Sequence, residues 1–235
     1  MCTLIILREE GRIRLAANRD ERLGRPSSPP RWHPRPGEGG AGLWPVDKQA
    51  GGTWIGRNEG GLVAALTNRF WTPAQKSRPS RGRWVPEALT HGSTEASLDA
   101  LRARLDPVAE NGFHLVVADA EHGAVLVADG SRLGIEPLAM GLSIITERSF
   151  GPTPPERERK IRNALGSEFP TTAQLLAALE IRASAPSIDD VDVELFDHGY
   201  GTRSRTFIEL GGQAERFLHR RVRPEPSEWL DYLQK

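Results

Sequence analysis

The chain opens on an apolar run, Thr3-Leu4-Ile5-Ile6-Leu7, and a second follows at Ile13 to Ala17. Both have strand length, and Glu9-Glu10-Gly11-Arg12 between them suits a hairpin turn. A second hairpin is predicted from Thr53-Trp54-Ile55-Gly56 through Asn58-Glu59-Gly60-Gly61 to Leu62–Thr67, and a third joins Phe113–Ala118 to Ala124–Ala128. Leu138 to Thr146 offers a further strand, Val191 to Phe196 a short one, and Thr202–Leu210 with Gln213–Arg220 a last hairpin across Gly211-Gly212. Helical spacing is found near 84–91 and at 94–105, where Thr94 is a candidate cap and Leu98, Leu101 and Leu105 repeat. Pro154-Pro155-Glu156 opens a helix to about 166, Thr171 or Thr172 caps another to about 182, and Trp229 with Tyr232-Leu233 predicts a short tail helix.

Residues 22–50 break this pattern with prolines 26, 29, 30, 34, 36 and 45 and many glycines, and read as a long surface loop without a packed element. Gly37 to Gly42 matches a dinucleotide fingerprint by letters, but Leu43-Trp44-Pro45 follows it and no helix can form, which rejects nucleotide binding there. Residues 71–83 make another loop, and its basic run from Arg78 to Arg83 reads as solvated or as facing an anionic ligand.

Successive strands join as hairpins, so the sheets are expected to be antiparallel. The helices fall in two blocks instead of alternating with strands. Two sheets, each covered on one face by a helix block, bury this much apolar strand. The expected fold class is therefore α+β, a four-layer α-β-β-α sandwich, with residues 1–235 forming one domain.

The formal net charge is zero, so no bulk attraction to nucleic acid or membrane is implied. No apolar run approaches ~20 residues, so no membrane span is expected. The N-terminus has no basic segment before its apolar run and does not read as a signal peptide. The chain reads as soluble and cytoplasmic, with a small molecule as its partner and its oligomeric state left open. Cys2 is the one cysteine, which excludes an intrachain disulfide and a multi-cysteine metal site. The histidines at 33, 91, 114, 122, 198 and 219 form no ligand-like pair.

Cys2 follows the initiator Met, and aminopeptidases generally remove Met before so small a residue. Removal leaves a thiol and a free α-amine on one residue, with ordinary pKa values of about 8.5 and about 7.7–8.0. The amine can then serve as base for the thiol. Folded back, the first hairpin brings Asn18-Arg19-Asp20 near Cys2. The bland alternatives are a small apolar residue at the start of a buried strand and, for Asn18 to Glu21, strand-end ion pairing. Trp32, Trp44, Trp54, Trp71 and Trp84 gather around the two long loops, as core anchors or as the rim of a cleft.

Met-Cys-Thr at the start, Ala16-Ala17-Asn18-Arg19-Asp20-Glu21, Arg25-Pro26, Ala50 to Gly56, Ala64 to Asn68 and Gly201-Thr202-Arg203-Ser204 together resemble the NRDE family, whose members are transport and Golgi organization protein 2-like. The resemblance implies an N-terminal-nucleophile (Ntn) hydrolase-like fold, the same four-layer sandwich. Roles in haem trafficking and in acyl-CoA or lipid metabolism are proposed for the family. Its wider relatives, of the choloylglycine hydrolase type, cleave amides with an N-terminal cysteine. Their Arg-Asn-x-Asp pattern falls on Ala17-Asn18-Arg19-Asp20, so the arginine sits two places later here.

By that resemblance Cys2 is a nucleophile, Asp20 positions it, Arg19 polarises it toward thiolate, and Asn18 belongs to the same motif. Asn68 is an oxyanion donor, worth ~3–4 kcal/mol in comparable sites. The second asparagine of that hole is replaced by Ile144. Arg203, Trp54 and Arg69 are candidate ligand-binding residues. The resulting expectation is a cysteine-dependent amide or thioester hydrolase. The alternative is a non-enzymatic carrier of haem or another hydrophobic anion, with arginines on its carboxylates and no resident metal or cofactor required.

Overall fold

The structure, a computed structural model, describes residues 2–34, 37–152, 155–182, 193–194, 196–197, 199–212 and 214–234. Strands β1 (Cys2–Glu9) and β2 (Arg12–Arg22) form the expected first hairpin. On the other side of β1 lies β10 (Gly141–Thr146), and beside β2 lies β12 (Tyr200–Gly211). β13 (Arg216–Arg221) and β14 (Leu230–Asp231) follow outward, and β11 (Phe196–Asp197) pairs with β12. The second sheet is a meander in chain order: β3 (Arg31–His33), β4 (Gly42–Trp44), β5 (Ile55–Asn58), β6 (Val63–Asn68), β7 (Phe113–Ala118), β8 (Gly123–Ala128) and β9 (Leu133–Pro137). Every pairing in both sheets is antiparallel.

Alternation along the strands sorts side chains into three apolar layers. Leu4, Ile6, Leu15 and Ala17 meet Ile55, Val63, Ala65 and Val116 between the sheets. The opposite faces of β1, β2 and β12 present Ile5, Leu7, Ala16 and Phe207 to Ile161 and Leu165 of α3 (Glu156–Leu165) and to Leu175 of α4 (Thr172–Ala178). The outer face of the second sheet presents Ala64, Leu66 and Leu115 to α1 (Trp84–Ala88) and α2 (Thr94–Arg104). The result is the four-layer α-β-β-α sandwich. β1 and β2 are covered on both faces, so they read as near-continuous apolar runs and not as alternating ones. Among the described residues, no helix is long and apolar enough to cross a membrane.

Several expectations need correction. The proline-rich stretch 22–50 is not free of elements: β3 and β4 lie within it, and Trp44 is buried with His33 stacked 4.4 Å away. Strands of three residues carry too little periodicity to read. β9 escaped because it is a partly exposed edge strand. The tail forms β14 instead of a helix, while Tyr232 and Leu233 do pack back on the inter-sheet core. Ser93, not Thr94, caps α2. Thr171 caps α4 in a capping box with Gln174, and that helix ends at Ala178. The strand expected at 191–196 falls largely outside the described residues.

Phe207 is fully buried between sheet and helices. Phe207→Ala is expected to lower the unfolding free energy by about 3–5 kcal/mol, and Thr171→Ala by about 1 kcal/mol. Urea denaturation reads both.

Candidate functional site

The register of the first hairpin sets Cys2 directly opposite Arg19. Cys2 continues the row of Leu4 and Ile6, and Arg19 that of Leu15 and Ala17, so both belong to the inter-sheet side. Cys2 is half-buried. Its sulfur receives the backbone N–H of Asp20 and feels the charge of Arg19.

Arg19 is held from two directions. Its guanidinium lies 4.3 Å from the ring centroid of Trp54, and it donates to Asp47 at 3.1 Å. Asp47 also accepts from Arg25 at 2.7 Å and from the backbone N–H groups of Gln49 and Ala50. Trp54 follows Gly52, whose missing side chain lets the loop touch Gly82: a Cβ at 52 would lie 2.6 Å from that residue's carbonyl carbon. This contact carries Arg81 toward the site, where it donates to the Gly112 carbonyl at 3.0 Å and acts electrostatically on Cys2.

Asp20 pairs with Thr202, beside the bulge of β12 between Thr202 and Ser204. Thr202 donates to its carboxylate at 2.7 Å, and Tyr200 donates to its backbone carbonyl at 2.6 Å. Burial raises the Asp20 carboxyl to about 6, even though Arg157 and the Thr202 hydroxyl favour its ionised form. Arg157 is itself anchored on Glu147 at 2.9 Å. Burial also pushes the Cys2 thiol up, and Asp20 adds to this; Arg19 opposes it only weakly. Burial thus favours the protonated sulfur, while the Asp20 N–H and Arg19 favour the thiolate.

The other candidates are placed as follows. Asn18 is opposite Thr3, on the face away from Cys2, and its amide donates to the carbonyls of Leu179 and Val193 at 2.9 and 3.0 Å. It ties the helix layer to β2 and is not beside the sulfur. Asn68 ends β6 at the same end of the sandwich, since Phe70 N–H donates to the Glu147 carbonyl and Thr146 pairs with Thr3. By alternation Asn68 continues the outer row of Ala64 and Leu66, not the inter-sheet row. Arg69 spends its guanidinium on the Thr72 hydroxyl and the Phe150 carbonyl, fixing two loops. Ile144 is buried against the helix layer. Arg203 occupies the bulge of β12 and feels Arg19. Trp54 is the platform under Arg19.

The sequence reading missed Asp47, Glu147, Arg157 and Tyr200. Asp47 and Tyr200 meet partners 28 and 180 residues away, and Glu147 and Arg157 pair across a strand end and a helix, so no local spacing announces them. The basic loop 78–83 is not simply solvated: Arg78 and Arg83 bind Glu110, and Arg81 reaches the site.

This arrangement belongs to a known class of fold. Solved structures similar to it include penicillin V acylase from Agrobacterium tumefaciens (15% identity, 100% of this chain and 87% of that one, TM-score 0.56). A Caenorhabditis elegans N-acylethanolamine-hydrolyzing acid amidase ortholog aligns at 13% identity over 88% and 92%, TM-score 0.61. A single-substitution variant of conjugated bile acid hydrolase from Clostridium perfringens aligns at 11% over 100% and 93%, TM-score 0.62. At these identities the likeness is one of fold: an Ntn-hydrolase-like sandwich. The family model described as Transport and Golgi organisation 2 matches residues 1–221, and the chain belongs to that family. The Bos taurus Transport and Golgi organization protein 2 homolog is 35% identical over 135 residues, 55% of this chain and 47% of the relative. The Homo sapiens homolog is 34% identical over 135 residues, with the same coverage. The match spans about half the length of these curated relatives.

The Asp20 carboxyl has a testable signature. Its folded pKa of about 6 exceeds the ordinary 3.8, so the folded state binds this proton more tightly. The associated stability is present below pH 4 and lost as pH rises through about 6, on the order of 3 kcal/mol. Asp20→Asn is expected to flatten that part of the pH dependence of urea unfolding.

Proposed function

We propose that the chain is a cysteine-dependent hydrolase of amide or thioester bonds in a small-molecule substrate, with Cys2 as nucleophile once Met1 has been removed. The observation that carries the reading is the set of groups around the sulfur: Arg19 across the hairpin and the Asp20 N–H on the sulfur. A half-buried thiol whose surroundings favour the protonated form needs a base at the moment of attack. The α-amine freed on Cys2 supplies it. Sulfur bonds to the acyl carbon, the C–N or C–S bond breaks, and the thiol proton leaves with the departing amine or thiol through that amine. Water then attacks the acyl-cysteine, releases the acid and restores the thiol. Asp20, ionised above pH about 6, orients the amine. Arg19, immobilised by Trp54 and Asp47, keeps a fixed positive charge near the reacting centre at little entropic cost. Asn68 contributes as oxyanion donor only by turning out of its outer row.

A second reading, a carrier of haem or another hydrophobic anion such as an acyl-CoA, draws support from the arginines near Cys2. Those arginines suit the ligand's carboxylates. Iron in such a ligand would have to displace the thiol proton on binding.

The test combines intact mass with turnover of chromogenic acyl amides and thioesters. Chains that have lost Met1 are expected to turn over, while Cys2→Ser and chains that retain Met1 lose at least 1,000-fold, on the order seen for nucleophile removal. Equal turnover in Cys2→Ser sinks the hydrolase reading. Ligand binding without turnover, indifferent to Met1, selects the carrier.

A further inference from the structure

A buried guanidinium has given up its water and needs a partner. The buried arginines of this fold mostly obey. Arg14 pairs with Glu9, Arg57 with Glu215, Arg157 with Glu147, Arg205 with Glu180 and Glu194, and Arg8 donates to two carbonyls. Arg203 does not. It is only 9% exposed, yet its side chain has no hydrogen bond or ion pair among the described residues, and its Nε is sealed from solvent without an acceptor.

Nothing in the backbone lets it withdraw. Arg203 sits in the bulge of β12, and its carbonyl accepts from both Val222 and Arg223. The charges that act on it most strongly are of its own sign, Arg19 and Arg221, and Glu21 offsets them least. Arg19 also has a buried, unsatisfied nitrogen, Nη1. The carboxylates nearby are already shared: Asp47 serves Arg19 and Arg25, and Glu21 serves Arg25. Arg81 has only a carbonyl. The end of the sandwich that holds Cys2 thus has more guanidinium than carboxylate, with donors left over at Arg203 and Arg19.

We infer that Arg203 and Arg19 together hold the anionic group, a carboxylate or a phosphate, of the small molecule that binds beside Cys2. The inference rests on Cys2 marking the ligand site, as in the proposed function, but not on turnover. A guanidinium offers paired N–H groups to either oxyanion, and two of them converging exceed what the single shared Asp47 neutralises. The anion supplies the acceptors the fold leaves out, and Arg203 remains costly to the empty protein until it arrives.

The experiment uses the full chain with Cys2→Ala, so that binding is read without chemistry. Thermal unfolding and calorimetry are measured with inorganic phosphate and with glutarate, which separate the phosphate from the carboxylate source. Either anion is expected to raise Tm. Arg203→Met is expected to raise Tm of the anion-free protein, because an uncompensated charge leaves the interior, and to weaken anion binding at least tenfold. Arg203→Lys, which keeps the charge but loses the fork, should weaken it less. Arg216→Met, an exposed change on β13, should leave binding as it was. If Arg203→Met destabilises the anion-free protein and both anions bind it as before, Arg203 is structural and the inference is wrong. Failure of both anions to bind the parent chain overturns it equally. Anion binding by the chain with Cys2 intact and Met1 removed, without hydrolytic turnover, would remove the hydrolase reading alone.

Discussion

The pairing of β1 with β2 is the constraint on which the site depends. In an antiparallel ladder a one-residue slip sends every side chain to the other face. Here the register is fixed by hydrocarbon on both faces: Leu4 and Ile6 must meet the second sheet while Ile5 and Leu7 must meet the helices. Once those four are satisfied, Cys2 has no choice but to face Arg19, and Thr3 to face Asn18. The core therefore positions the chemistry, and the polar residues at the strand ends inherit an address they did not select.

What those residues do with the address is a matter of electrostatics in a poorly hydrated place. Burial opposes ionisation of both the Cys2 thiol and the Asp20 carboxyl. Below pH about 6 the Asp20 carboxyl joins the thiol in the uncharged form, which leaves the acidic side of the site neutral beside the guanidiniums. This asymmetry favours an incoming anion and calls for a base that the folded strands do not themselves provide. It also explains why so much framework is spent on Arg19: Trp54, Asp47, Arg25 and the Gly52–Gly82 contact all serve to keep one cation in one orientation.

Fold kinship does not by itself assign the function. The solved neighbours share the sandwich at 11–15% identity, and a fold at that distance hosts more than one chemistry. Two residues that the resemblance assigned to catalysis behave differently in this chain. Asn18 became a clamp between β2 and the helix layer, and Asn68 lies in the outer row of its strand. The site has to be argued from Cys2, Arg19, Asp20 and their partners, not from the alignment of a motif.

The sequence alone determined the four hairpins, the antiparallel sheets, the two helix blocks and hence the layers, because period and run length are local properties that burial on both faces enforces. It also determined that Cys2 and Asn-Arg-Asp share an end, since one tight turn joins them. It could not show β3 or β4, whose few residues carry no pattern, or β9, a partly exposed edge strand. It could not show which face each polar residue takes where a bulge at Thr202 resets the alternation, nor that the basic loop would fold in to Cys2. Above all, it could not reveal that Asp47 is shared while Arg203 is left without a counter-ion. That is a balance of charges among residues far apart in the chain, and only packing brings them close enough to be counted.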